Sequence, residues 1–333
     1  LDDYLKWRPQ DKERIQQLVQ QGKLIIGPWY TQTDQLVISG ESIVRNMLYG
    51  MKICEAIGTY MNVGYVPASF GQAASMPQIY REFGITDTMF WRGVSDDDVK
   101  HTEYKWRGED GSVVNVYQIP SGYYIGGAIP EREAELAEFL HQEPFKTTWG
   151  RSATDQVYFP NGFDQAPVRE NLPELVDRMN QLYQDEYELQ FSTIEKYIAA
   201  VKARHPELEE IAGELINGKL MRIHKTIFSS RPDLKAMNTQ IQHYLVNVME
   251  PILTIAMQLG FEYPVETVIE IWKLMFENAA HDSIGSCVSD TTNEDIYMRY
   301  KQARDISMNL VELMLRQISI AINNPQAKEI TFT

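Results

Sequence analysis

The strongest constraint on this chain is a change of periodicity part-way along it. Up to about residue 220, short β-rich runs alternate with amphipathic helical stretches. Lys23-Leu-Ile-Ile26, Val63-Gly-Tyr-Val66, Thr88-Met-Phe-Trp91, Val113-Val-Asn-Val-Tyr117 and Val157-Tyr-Phe159 read as strands, being β-branched or aromatic and bounded by Gly or Pro. Helical spacing occupies 10–22, 41–57, 74–83, 131–145 and 168–183. Such alternation predicts an α/β domain with a mostly parallel sheet or barrel, whose ligands bind at the C-terminal ends of the strands. Further on, Ile241, Leu245, Val248, Ile252, Ile255 and Leu259 form one apolar helix seam. Val268, Ile271, Trp272 and Met275 mark a second helix, and the stretch 290–322 a third, which together predict a helical bundle. There is no internal repeat and no low-complexity segment.

Charge then removes whole classes of partner. The 333 residues carry 31 basic and 46 acidic side chains, a formal charge of −15. With no basic stripe, nucleic acid and anionic membranes are excluded as partners. No apolar run reaches the roughly 20 residues of a membrane span, and no signal peptide is visible. Cys54 and Cys287 lack CxxC spacing and cannot build a disulfide framework, so a reducing, cytoplasmic location is expected. The chain begins at Leu1 rather than Met and ends on the strand-like Glu329-Ile-Thr-Phe-Thr333, so both ends are expected to be truncated.

Four loops after the expected strands collect aromatic and polar residues. They are Gly27-Pro-Trp-Tyr-Thr-Gln-Thr-Asp34, Pro67-Ala-Ser-Phe-Gly-Gln72, Trp91-Arg-Gly93 and Pro160-Asn-Gly-Phe-Asp-Gln-Ala-Pro167. Rings stack on the C–H faces of sugars, and neighbouring Asp, Asn, Gln and Arg serve the hydroxyls. Each loop alone is explained as well by packing, with Trp29 and Trp91 as core or rim rings and Asp34 as a turn residue. Four together favour a sugar site. Asp164 suits either a turn or a carboxylic acid that protonates a leaving oxygen. His281-Asp282 sits at the end of the second bundle helix, but HxH, HxxxH and HxD are absent, so spacing alone assembles no metal motif. Asp96-Asp-Asp98 reads as a solvated loop. Ser229-Ser-Arg231 before Pro232 reads as a helix start, not as a nucleophile.

At these residues the chain resembles glycoside hydrolase family 38, the retaining α-mannosidases, and within it the bacterial branch that includes mannosylglycerate hydrolases. The resembling segments are 22–34, 41–46, 76–93, 160–165 and 281–285, in the family's order over nearly the whole chain. The resemblance implies a seven-stranded β/α barrel-like catalytic domain over 1–220, lacking its N-terminal strand. A three-helix bundle over 221–325 and the start of a C-terminal β-domain over 326–333 follow. It implies one divalent cation, usually zinc, with His281 as a ligand. It implies Asp164 as acid/base, Asp282 as an acceptor from sugar hydroxyls, and Phe70, Arg92 and Tyr124 lining the sugar, with Trp29 and Asp34 beside them. Retaining chemistry places two carboxyls about 5–5.5 Å apart and passes through a covalent glycosyl intermediate.

Two departures bear on activity. The family nucleophile lies in an Asp-x-Phe-Gly pattern, and here the stretch is Ala68-Ser-Phe-Gly71. Alanine has no lone pair with which to attack an anomeric carbon. The family's His-x-Asp strand, which supplies two more metal ligands, lies upstream of Leu1, and a lone imidazole does not hold zinc at ordinary concentrations. The expectation is a metal-dependent mannosidase of small mannosides, free or phosphorylated mannosylglycerate included, that is inactive as written. The alternative is a relative that binds carbohydrate without cleaving it. A polysaccharide deacetylase would need the absent HxxxH pair. An anionic substrate would require a basic pocket, for which Arg45, Arg92, Lys225 and Arg231 are candidates. A homo-oligomer stays an open alternative.

Overall fold

The computed structural model describes residues 1–322, so the expected strand at 329–333 and the β-domain from 326 lie outside the described residues. The chain divides into two compact units. The first is Leu1–Pro28 with Met51–Ile223, and the second is Trp29–Gly50 with the chain from His224 onward. The division falls inside the helix Gly40–Glu55.

The first unit is built on a five-stranded sheet of order β1-β2-β4-β3-β5. Its strands are β1 (Gly64–Val66), β2 (Asp87–Phe90), β3 (Glu103–Arg107), β4 (Val113–Gln118) and β5 (Glu210–Ala212). β1, β2 and β4 are mutually parallel, whereas β3 is antiparallel to β4 and parallel to β5. β2 is buried along its whole length, and β1 and β4 are largely buried, as central parallel strands require. The helix Ile194–Ala203, capped by Thr193 Oγ1 on the Lys196 amide at 3.2 Å, packs Tyr197, Ile198 and Val201 against Met89, Tyr117 and Ile119. Lys202 of that helix ties down Asp87 of β2 at 2.6 Å.

Five strands, not seven, are formed by the described residues, and they lie in a row; the barrel implied by the resemblance is not seen among them. Two expected strands are not strands. Leu24 and Ile26 are packed against Ile15, Val19 and Ile57. Phe159 and Tyr158 are packed against Phe145 and Tyr197. In both runs β-propensity reflected partial side-chain packing, which needs no ladder. The expected helix at 131–145 is instead a short turn of helix at Glu133–Leu136, a 3-10 turn at Phe139–His141 and a helix at Phe145–Arg151.

The second unit carries three long helical stretches around one apolar core. Helical chain runs from Pro232 to Gln258, then Val265–Asn278, then Asp290–Ala321, the last capped by Ser289 Oγ on the Thr292 amide at 3.2 Å. Its core joins Leu245, Met249, Leu253, Trp272, Phe276 and Tyr300. The expected seam holds only in its first half. Leu245–Met249 is a π-turn, placed directly before Pro251, whose ring has no N–H to donate and crowds the carbonyl four residues earlier. The wider turn rotates the following residues, so Met249, Leu253 and Ala256 are buried while Ile255 and Leu259 are each 54% exposed.

Arg45 bonds Glu250 at 2.6 and 2.8 Å and Glu41 at 2.7 Å, and stacks 4.5 Å over Trp272, whose indole N–H also donates to Glu250. Burial works against the Arg45 charge, but the hydrogen bonds to the two glutamates outweigh it and raise its pKa. Among the described residues, no helix is long and apolar enough to cross a membrane.

Candidate active site

Because β1, β2 and β4 run parallel, the loops that follow them leave from one edge of the sheet. These loops carry Ala68 and Phe70, then Trp91 and Arg92, then Tyr123 and Tyr124. Arg92 joins the first two: its guanidinium donates to the Ala68 carbonyl at 2.6 Å and lies 5.3 Å from the Phe70 ring and 4.4 Å from the Trp91 ring. Trp91 continues the row, edge-on to Tyr123 at 5.6 Å and to Tyr124 at 5.5 Å. Its indole N–H donates to the Pro120 carbonyl at 3.2 Å. Gly122, at φ +80°, is required in this turn, since a Cβ there would lie 2.9 Å from the Trp91 ring.

The segment with Asp164 reaches the row without being a strand. The Gly126 amide donates to the Pro160 carbonyl at 2.7 Å and the Gly162 amide to the Tyr123 carbonyl at 3.1 Å. These two bonds fix the backbone on either side of Asn161. The Tyr123 hydroxyl then lies 3.0 and 3.2 Å from the two Asp164 oxygens. Burial, and next the Asp164 hydrogen bond, push the Tyr123 phenol above its ordinary pKa, so it remains a donor. Tyr124 meets Phe163 edge-on at 5.7 Å.

Gln118, at the end of β4, was missed by sequence reasoning. Its side-chain amide donates to the carbonyls of Trp91 at 3.2 Å and Val94 at 2.8 Å, holding the loop that presents Arg92. Its only sequence signal is a polar residue ending an apolar strand. Tyr123 was missed too. The Ser121-Gly-Tyr-Tyr124 run pointed to its neighbour Tyr124, whose ring bridges Trp91 and Phe163 while Tyr123 meets the carboxylate.

The remaining candidates belong to the second unit. Thr33 bridges Ala280, and the Gln32 carbonyl accepts the His281 amide at 3.0 Å, with His281 Nδ1 3.1 Å from the same oxygen. Buried Asn46 supports this segment by accepting the Tyr30 and Thr31 amides at 3.1 and 3.2 Å. Trp29 is buried, and buried Asp34 accepts the Leu36 amide at 3.0 Å, the geometry of a turn. Asp282 is exposed and accepts the Cys287 thiol at 3.1 Å. Burial, and next Asp282, push that thiol up to about 11.

Arg45 is held by Glu250 and Glu41, Arg231 pairs with Asp290 at 2.5 Å, and Lys225 is exposed in a 3-10 turn. Asp96 and Asp97 are exposed, as expected, and share Lys219. The helix starts at Pro232 as expected, with Arg231 before it at φ +43° and no serine side chain capping it.

A divalent cation needs three or four donors in one place. Among the described residues no group of three or more His, Cys, Asp and Glu side chains could hold one. His281 supplies one imidazole, so these residues do not by themselves fit the implied metal.

Residues 2–222 match the profile of the glycosyl hydrolases family 38 N-terminal domain, and residues 222–318 that of the α-mannosidase middle domain. The chain belongs to glycoside hydrolase family 38. It is 30% identical, over 97% of its length, to the "Putative mannosylglycerate hydrolase" of Halalkalibacterium halodurans, and spans 37% of that relative. It is 24% identical over 84% of its length to human α-mannosidase 2C1, of which it spans 26%. The crystal structure of an α-mannosidase from Enterococcus faecalis V583 superposes with a TM-score of 0.89 at 31% identity, covering 96% of this chain and 37% of that one. The family 38 chain thus spans well under half the length of these relatives, and over that span it shares the fold of the Enterococcus faecalis enzyme.

Proposed function

We propose that this chain carries the sugar-binding and acid-supplying parts of a retaining α-mannosidase acting on terminal α-mannosides, and that with Ala68 it holds the glycoside without opening it. The observation that carries this reading is the continuous row from Ala68 through Arg92, Trp91 and Tyr123 to Asp164, in a family 38 domain. Once an attacking group stands at position 68, the role of Asp164 is to give a proton to the glycosidic oxygen as the nucleophile bonds to the anomeric carbon and the aglycone leaves as an alcohol. The Tyr123 hydroxyl, bonded to the Asp164 carboxyl, keeps it in one orientation for that transfer. Buried Trp91 and Phe70 pack against the Arg92 guanidinium from within, and Arg92 binds Ala68's carbonyl, fixing the backbone where the attacking group belongs.

At Ala68 the covalent route stops. A methyl group has no electron pair to form the bond to the anomeric carbon while the leaving oxygen departs. Introducing Ala68→Asp into the full-length protein is expected to raise hydrolysis of aryl α-mannosides on the order of a thousandfold or more over background. A restored protein that hydrolyses no aryl α-mannoside would overturn the reading.

A further inference from the structure

Pro120, Ser121 and Gly122, the turn that leads to Tyr123, close one side of a cavity of about 20 Å³. That is room for one occupant the size of a water molecule. Glu103 and Gln118 line it too, and no lysine, arginine or histidine does. Glu103 is 1% exposed and belongs to no ion pair among the described residues. Its carboxylate accepts the Thr102 and Tyr197 hydroxyls at 2.7 and 2.8 Å and the Ala153 amide at 2.7 Å, three of about four acceptor sites. These neutral donors solvate the charge without cancelling it, and a buried carboxylate with no cation is costly.

Three further side chains of the lining have already given their protons away. Gln118 is 4% exposed, and its nitrogen serves the Trp91 and Val94 carbonyls. Two carbonyls can accept only from the amide NH₂, which fixes the other atom as Oε1, and this oxygen is buried without a partner. Thr148 donates to the Pro144 carbonyl at 3.0 Å, so in its 2.7 Å contact with Ser121 it is Ser121 that donates. Ser121 Oγ is thereby left as an acceptor. The lining thus offers a carboxylate, an amide oxygen and a hydroxyl oxygen, all wanting a positive partner. A water molecule could serve two of them but would leave the Glu103 charge unmatched. A divalent ion would bring one charge more than the single carboxylate offsets.

We infer that this cavity is a site for one monovalent cation about the size of a water molecule, as potassium is, held by Glu103, Gln118 Oε1 and Ser121 Oγ. The site shares no residue with the implied divalent metal, for which His281 is the candidate ligand, and it stands without the mannoside reading. Pro160, on the segment that leads to Asp164, lines the same cavity, so the ion braces that segment and the Tyr123 turn together.

The test is thermal unfolding of the whole chain in potassium chloride and in tetramethylammonium chloride, at equal ionic strength so that screening is matched. Tetramethylammonium is too large for the cavity. The midpoint is expected about 2 °C or more higher in potassium. Glu103→Gln keeps an oxygen for the Thr102 and Tyr197 hydroxyls but removes the charge, and should abolish the difference. If that variant does not fold, Ser121→Ala, which removes one ligand oxygen at a partly exposed position, should reduce it. Crystals grown in rubidium chloride, with rubidium as an anomalous scatterer in potassium's place, should show a peak between Glu103 and Gln118. Equal midpoints in the two salts overturn the inference, as does a difference that survives Glu103→Gln undiminished. An ordered water and no rubidium in the cavity overturns it as well.

Discussion

The two units present their candidate residues by different means. In the sheet unit, side chains hold side chains: Arg92 spans Phe70 and Trp91, Trp91 wedges between tyrosines, and Tyr123 grips Asp164. In the helical unit His281 is held through the backbone, and the segment that holds it is supported by the side chains of Asn46 and Thr31. Thr33 bridges Ala280, the Gln32 carbonyl takes the His281 amide, and the Thr31 hydroxyl donates to the Phe276 carbonyl at 2.8 Å. Side chains such as exposed Asp282 then stand on a frame they do not build. A mutation in the first group is therefore expected to move its neighbours, and one in the second to change chemistry while the frame stays.

Asp164→Asn tests the most demanding part of that contrast. In the Ala68→Asp background it is expected to lower turnover of glycosides with poor leaving groups about 10²- to 10⁴-fold, the contribution of a general acid. Aryl glycosides with acidic phenols should suffer far less, because their oxygens leave unprotonated. Equal losses on both would show that Asp164 acts by shape and not by proton transfer.

In the helical unit the corresponding experiment concerns the frame. Leu253→Ala should cost about 2–5 kcal/mol in urea unfolding, since Leu253 is 1% exposed. Ile255→Ala, two residues on, should change stability by no more than about 0.5 kcal/mol. Comparable costs would mean that the π-turn does not set the register.

A smaller loss than at Leu253 is expected at Gln118. Gln118→Met keeps the volume but strips two donors from the Trp91 and Val94 carbonyls. A stability loss of about 1–3 kcal/mol follows if those carbonyls stay buried. Mannoside affinity, read by calorimetry, should fall with it because the Arg92 loop loosens. Stability loss with unchanged affinity would separate the clamp from the site.

How much of this was legible beforehand depended on the range of the physics. The bundle helices were readable because a helix buries one stripe and the stripe repeats every three or four residues. Even there, one proline shifted the register half-way along the first helix. β3 carried a usable signal, Tyr104 and Trp106 buried alternately with exposed Lys105 and Arg107, but its charges masked it. β5 has only three residues, none of them buried, and left no pattern to find. Lys23-Leu-Ile-Ile26 and Val157-Tyr-Phe159 looked like strands because apolar and aromatic runs announce burial, and burial has no fixed partner.

The sequence by itself determined the α/β-then-helical order, the net acidic charge, and the alanine where the resemblance implies a nucleophile. Those are properties of composition, local period and single positions, and they need no neighbours in space. Only the tertiary structure decided that Tyr123 rather than Tyr124 meets Asp164, that Gln118 clamps the Arg92 loop, and that Arg45 and Arg231 are already paired with carboxylates. Each of these joins residues far apart in the chain, through hydrogen bonds that form only within about 3 Å. No local pattern records which distant partner will arrive there.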